Sequence, residues 1–396
     1  MASSWLDRAE RVFLSNYYPA RITLVRGEGC RVFDDTGREY LDLLCGIAVN
    51  SLGHCHPAVV EAIREQSATL MHISNLYQHP VQIELAERLT GHFPGGRVFF
   101  CNSGAEANEA ALKLARRHAH DTRGEGHHVV VSALSSFHGR TTGALAATGQ
   151  PQYHKGFEPL LPGIRHVPFG DIQALREAVG QDTCAVLLEP IQGEGGVVVP
   201  PAGYLGKAAE LCRERNVLLM LDEVQTGLGR TGTLFAHQAE GIVPDVMTLS
   251  KALGGGLPLG AMLARGEGAA AFQPGTHAST FGGNPVACAA ALALLDVLLG
   301  EGFLESTVAL GKFFRTGLEG IVERRRVASS VRGRGLLLAL ELTVEAKPVV
   351  ESVLARGYLI NAVQEKVLRF APPFIIKEEQ LSGFLSVLDD ILAELD

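Results

Sequence analysis

At 396 residues the chain is long enough to bury a large core and favours two or three domains over one compact unit. Its formal charge of −8, with lysine and arginine scattered along it, argues against a nucleic-acid binder, and no run of about 18 apolar residues is present to cross a bilayer. Seven widely spaced cysteines, with no C-x-x-C pair among them, argue against a zinc or redox motif and read as reduced thiols, so a cytoplasmic protein without a metal centre is expected.

In chain order, the first eight residues lack the apolar run of a signal peptide. Residues 32–43 hold two β-like runs around Asp35-Thr36-Gly37, the pattern of a hairpin. From about residue 56 short apolar runs alternate with helical periodicity: 97–100, an alanine-rich stretch after Ser103, then 129–131, 185–188 and 217–221. Continuous apolar runs separated by helices predict strands buried on both faces, hence an α/β fold with an open, largely parallel sheet. After about residue 285 come long helical stretches, a strand-like run at 335–342 and an amphipathic segment over 378–395, predicting a smaller α/β unit that closes over the sheet. The apolar run 287–299 contains Asp296 and reads as a buried helix, and Arg324-Arg325-Arg326 as a solvated helix face. There is no repeat, low-complexity tract or long polar linker, so the domains should pack together.

Three segments carry chemistry. In Asn102-Ser103-Gly104-Ala105-Glu106, directly after a strand and opening a helix, small residues let backbone N–H groups approach a phosphate, with the Ser103 hydroxyl as a further donor. An ordinary capped helix start has the same appearance. A second apolar strand ends abruptly in Asp222, where ligands of open α/β sheets bind, and Gln225 follows as a donor for a ring oxygen; a turn cap is the alternative. In the third, Lys251 lies between an apolar strand and Gly254-Gly255-Gly256, a setting that lowers an amine pKa and leaves room for a flat ligand. A phosphate cradle, an anion for a pyridinium nitrogen and an amine for an aldehyde together meet the demands of pyridoxal 5'-phosphate (PLP).

These segments, with Gly46-Ile47-Ala48-Val49-Asn50-Ser51-Leu52-Gly53-His54, Phe137-His138-Gly139-Arg140 and Val367-Leu368-Arg369-Phe370-Ala371-Pro372, closely resemble the class III PLP-dependent aminotransferases over nearly the whole chain. The resemblance implies a fold-type I architecture: a large PLP-binding domain at 56–285 and a small domain built from both chain ends, 1–55 and 286–396. It also implies a homodimer with shared active sites. Carried over, Ser103, Gly104 and Ala105 would hold the phosphate, Phe137 would stack on the ring, Asp222 would pair with its nitrogen and Lys251 would anchor it covalently. Thr280 would reach the phosphate of the neighbouring subunit's cofactor and Ser279 would lie near the substrate.

The likeness is greatest to members acting on acetylornithine. It implies transfer of the δ-amino group of N2-acetyl-L-ornithine to 2-oxoglutarate in arginine biosynthesis. Arg140 would grip one substrate carboxylate and Arg369 the α-carboxylate of glutamate, with Glu194 masking Arg369 while the other substrate is bound. Tyr18 and Asn75 would line the substrate mouth. Competing readings keep the fold with another ω-amine (ornithine, succinylornithine, succinyldiaminopimelate, 4-aminobutyrate or a carrier-bound lysine precursor), keep PLP without transamination, or make the chain a non-catalytic α/β binding protein.

Overall fold

The computed structural model describes residues 4–396; the first three residues of the stretch inspected for a signal peptide lie outside the described residues. A short helix, Trp5–Val12, is followed by three strands: β1 (Leu24–Glu28), β2 (Arg31–Asp34) and β3 (Glu39–Asp42). β2 and β3 form the expected antiparallel hairpin. Asp34 organises its turn, accepting from the Thr36 and Arg38 N–H groups at 2.9 Å each and from the Tyr40 hydroxyl at 2.9 Å.

The central sheet contains β4 (Gly96–Cys101), β5 (Val129–Ala133), β6 (Ile164–Val167), β7 (Thr183–Leu188), β8 (Leu218–Asp222), β9 (Val246–Leu249) and β10 (Gly260–Arg265), in the order β4-β10-β9-β8-β7-β5-β6. From β9 to β6 every pairing is parallel. β10, which follows the glycine-rich turn and was not foreseen, inserts antiparallel to both β9 and β4. The sheet is therefore largely parallel, as expected, with one reversed strand. Strands β5, β7 and β8 are buried at every position because both faces are covered. Side chains alternate between faces: Val130, Ala185 and Met220 meet the helix Gly104–Arg123, while Val131, Val186, Leu219 and Leu221 meet the helix Tyr204–Arg215.

The helix Pro285–Leu298 is capped by Asn284, whose Oδ1 accepts from the Val286 and Ala287 N–H groups at 3.0 and 3.3 Å, and it is buried as expected. Among the described residues no single helix is long and apolar enough to cross a membrane. Beyond it lie β11 (Ala328–Arg334), β12 (Leu337–Leu342), β13 (Tyr358–Leu359), β14 (Asn361–Val363) and β15 (Val367–Phe370). Four of these make a sheet ordered β11-β12-β15-β14, while β13 crosses over to pair in parallel with β3. Cys30, in the β1–β2 turn, and Leu43, just past β3, share one apolar cluster with Phe314, Leu340, Phe370 and Leu388, so the two chain ends build a common core.

The arginine triplet stands where the helix Phe303–Arg324 ends; Arg324 and Arg326 are exposed, as expected, and Arg325 is half-buried. Arg324 and Arg325 also donate to Asp389 of the helix Glu378–Ala393, at 3.3 and 2.7 Å, so the solvated end of one helix is tied to another. All seven cysteines are free, and six of them are buried.

Candidate active site

Parallel strands deliver their carboxyl ends to one side of a sheet. Here Glu189 follows β7, Asp222 ends β8 and Lys251 follows β9 by two residues. Asp222 is 4% exposed. Its Oδ2 accepts from Asn108 Nδ2 at 2.7 Å and from His138 Nδ1 at 2.8 Å, and its Oδ1 accepts the Val224 N–H at 3.0 Å. Because a carboxylate only accepts, His138 carries its proton on Nδ1. Asn108 is itself held in place: Nδ2 also donates to the His138 carbonyl, and Oδ1 accepts from the Thr248 hydroxyl, both at 2.8 Å. Three separate segments therefore fix the acid's orientation, while Oδ1 keeps acceptor capacity for one more donor.

Asn108 belongs to the helix Gly104–Arg123, the same helix whose start forms the candidate phosphate cradle. Ser103 caps it, its Oγ accepting the Glu106 N–H at 3.2 Å, and the Gly104 and Ala105 N–H groups belong to the first turn, which has no intrahelical acceptors. Glycine is required at this approach. A Cβ on Gly104 would lie 2.7 Å from Val224, two residues past Asp222, so the turn and the acid's strand end are in direct contact.

Lys251 adopts a left-handed backbone, φ +46°, a conformation that non-glycine residues hold only under constraint. Burial pushes its ammonium below the ordinary lysine range; the carboxylates of Glu194, Asp222 and Glu189 oppose this and the Arg369 cation reinforces it. A depressed pKa is what makes a lysine amine nucleophilic near neutrality. Burial also raises Glu189 to about 7, helped by Asp222 and opposed by His138.

Arg369, on β15, is 1% exposed and forms an ion pair through Nη1 with Glu194. Burial works against the Glu194 charge, but the Arg369 and Lys251 cations outweigh it and hold the carboxyl below its usual range. Arg369 Nε donates to Asn361 Oδ1 at 3.1 Å, its cross-strand neighbour on β14, and Nη1 also reaches Gln225 Oε1 at 3.3 Å. Its Nη2 is buried with no partner. A buried guanidinium nitrogen left open beside a side-chain carboxylate is suited to receive a carboxylate ligand. Gln225, expected at a ring oxygen, here bridges this pair, donating to Glu194 at 3.4 Å.

Phe137 and Arg140 lie at the rim: the exposed Arg140 guanidinium stands 3.8 Å over the Tyr153 ring and 5.6 Å from that of Phe137. Ser279 Oγ accepts from Asn102 Nδ2 at 3.3 Å, next to the phosphate turn. Asn75 is exposed and donates to the Ser279 and Gly282 carbonyls at 3.2 and 2.9 Å, so its segment and the Ser279–Thr280 loop form one unit. Thr280 is exposed on that unit, and Tyr18 is fully exposed on the N-terminal segment. Within the single chain neither is drawn into the Lys251 cluster. Sequence reasoning missed Asn108, Glu189 and Asn361 and left His138 without a role; Asn108, Glu189 and His138 act through partners distant in the chain, whereas Asn361 meets Arg369 across a short hairpin.

First-turn N–H donors, a carboxylate with spare acceptor capacity and a buried amine of lowered pKa form a donor set that fits PLP. Residues 13–392 match the family model for class-III aminotransferases. The acetylornithine aminotransferase of Caldanaerobacter subterraneus is 53% identical over 381 residues, 96% of each chain. Among solved structures, the ornithine aminotransferase of Toxoplasma gondii superposes with a TM-score of 0.95 at 35% identity, covering 98% of this chain and 94% of that one. The acetylornithine aminotransferase of Elizabethkingia anophelis superposes with 0.88 at 35% identity, covering 98% of both.

Proposed function

The chain belongs to the class-III aminotransferases, which use PLP, and from that premise we propose that it transfers the δ-amino group of N2-acetyl-L-ornithine to 2-oxoglutarate. The products are N-acetyl-L-glutamate 5-semialdehyde and L-glutamate, a step of arginine biosynthesis. The observation that carries this reading is the buried Glu194–Arg369 pair with Arg369 Nη2 open. One pocket must accept an acylated amino acid with a single carboxylate and then a dicarboxylate. A carboxylate that covers the arginine in the first case and yields it in the second meets that need.

When bound, PLP supplies an electron sink that makes the substrate's proton next to nitrogen removable. Lys251 would anchor it and, once displaced by substrate, move that proton as base and then acid. Asp222, steered by Asn108 and His138, would hold the ring nitrogen protonated. Ser103, Gly104 and Ala105 would hold the phosphate, Phe137 would cover the ring and Gln225 would donate to a ring oxygen. Arg140 would take the donor's carboxylate, Ser279 would border the substrate, and Tyr18 and Asn75 would line the mouth.

The working form proposed is a cytoplasmic homodimer. Ile73, Leu76, Tyr77 and Phe281 are exposed apolar side chains on and beside the unit that bears Thr280, a surface that a second copy would cover while Thr280 reached its cofactor phosphate. The proposed domain division is 1–55 with 286–396, and 56–285; it is supported by the apolar cluster that the chain ends share.

A second reading, ornithine as donor, is favoured by the 0.95 superposition on an ornithine aminotransferase. Initial rates with N-acetylornithine, ornithine, succinylornithine and 4-aminobutyrate against 2-oxoglutarate decide between them. The highest kcat/KM is expected for N-acetylornithine, and a higher value for any other donor rejects the substrate assignment.

A further inference from the structure

Glu189 is 5% exposed, immediately past β7, and belongs to none of the roles assigned above. Its two oxygens serve two different segments. The Phe137 N–H donates to Oε1 at 2.9 Å, and the Gly193 N–H donates to Oε2 at 3.2 Å. Phe137 carries the ring proposed to cover the cofactor, and Gly193 precedes Glu194, the carboxylate paired with Arg369.

The Gly193 turn has little freedom on its other sides. A Cβ on Gly193 would lie 2.2 Å from Gln225 Oε1, and a Cβ on Gly195 would lie 2.8 Å from the Ser135 carbonyl. Gln192 Nε2 donates to the Leu134 carbonyl at 2.9 Å. The turn is thus packed against Gln225 and the 134–137 loop, and Glu189 supplies the hydrogen bond at the residue next to Glu194. Burial raises the carboxyl to about 7, with His138 opposing the rise and Asp222 reinforcing it.

We infer that Glu189 is a positioning residue that holds the Glu194 turn closed on Arg369 and ties that turn to Phe137, thereby setting the balance between the one-carboxylate donor and the dicarboxylate acceptor. The inference rests on the proposed masking role of Glu194. Weakening either bond to Glu189 loosens the turn, frees Arg369, favours the dicarboxylate and disfavours the donor.

The test measures kcat/KM for N-acetylornithine and for 2-oxoglutarate in PLP-loaded Glu189→Gln, Glu189→Asp, Glu194→Ala and Glu189→Gln/Glu194→Ala proteins. Glutamine replaces one acceptor oxygen with a donor, and aspartate is too short to reach both N–H groups; using both guards against one variant failing to fold. The acceptor-to-donor ratio of kcat/KM is expected to rise about three- to tenfold in each Glu189 variant, the range for losing one buried hydrogen bond. It is expected to rise in Glu194→Ala, and the double variant to show no further rise, because both residues act through one turn. A rise in Glu194→Ala alone, with both substrates equally impaired in the Glu189 variants, overturns the inference and leaves the masking role standing. An unchanged ratio in Glu194→Ala overturns the masking role and the inference with it.

Discussion

Arg230 and Arg369 are each 1% exposed and each keep one guanidinium nitrogen without a partner, yet the regions around them are built differently. Arg230 donates to the Leu336 and Pro372 carbonyls at 3.0 and 2.6 Å and to Ser51 Oγ at 3.1 Å, and it lies 4.3 Å over the Phe374 ring. Its remaining neighbour, Cys45, is pushed up to about 11 by burial and stays a neutral thiol. No carboxylate faces Arg230 among these partners. Arg369 has among its partners a side-chain carboxylate, Glu194, on a glycine-rich turn. A buried cation held by backbone carbonyls can only pin segments together. One held by a side-chain carboxylate can exchange that partner for a ligand carboxylate of the same chemistry.

The comparison is sharpened most by Arg369→Met. It removes the cation that receives the ligand carboxylate, so kcat/KM for 2-oxoglutarate should fall about 100-fold or more, as for one or two charge-assisted hydrogen bonds of about 1.5–3 kcal/mol each. The thermal midpoint should fall as well, because Glu194, Asn361 and Gln225 lose their donor, but the reaction with N-acetylornithine alone, followed spectroscopically, should persist. Equal loss of both half-reactions would break the distinction. A smaller effect, of a different kind, is expected from Arg230→Met. Two carbonyls and a hydroxyl lose their donor, so stability should fall by about 2–3 kcal/mol, read as a lowered thermal midpoint, with the acceptor-to-donor ratio unchanged. A shifted ratio would mean that Arg230 belongs to the site.

The same contrast explains what the sequence made legible. Lys251, Asp222 and the Ser103 turn stand where an apolar run breaks into polar or glycine-rich sequence, and such breaks mark strand ends in any α/β chain. The sheet was readable because strands buried on both faces are continuously apolar, as β7 and β8 are. β10 escaped notice because it follows directly on a glycine-rich turn, and its reversed direction depends on pairing with β4, far away in the chain. Asn108 and Glu189 were invisible for a related reason. Asn108 meets Asp222 across 114 residues and Glu189 meets Phe137 across 52, so no local spacing records either bond. Gln225 stands three residues past Asp222 in the chain, but its bond to Arg369 spans 144 residues and depends on where β15 packs.

Everything proposed for the pocket depends on where the cofactor is attached. The direct measurement is borohydride reduction of the PLP-loaded enzyme followed by proteolysis and peptide mass mapping. The account predicts a single labelled peptide with the added mass on Lys251. A label on any other lysine, or no label on a protein that still turns over substrate, would contradict it.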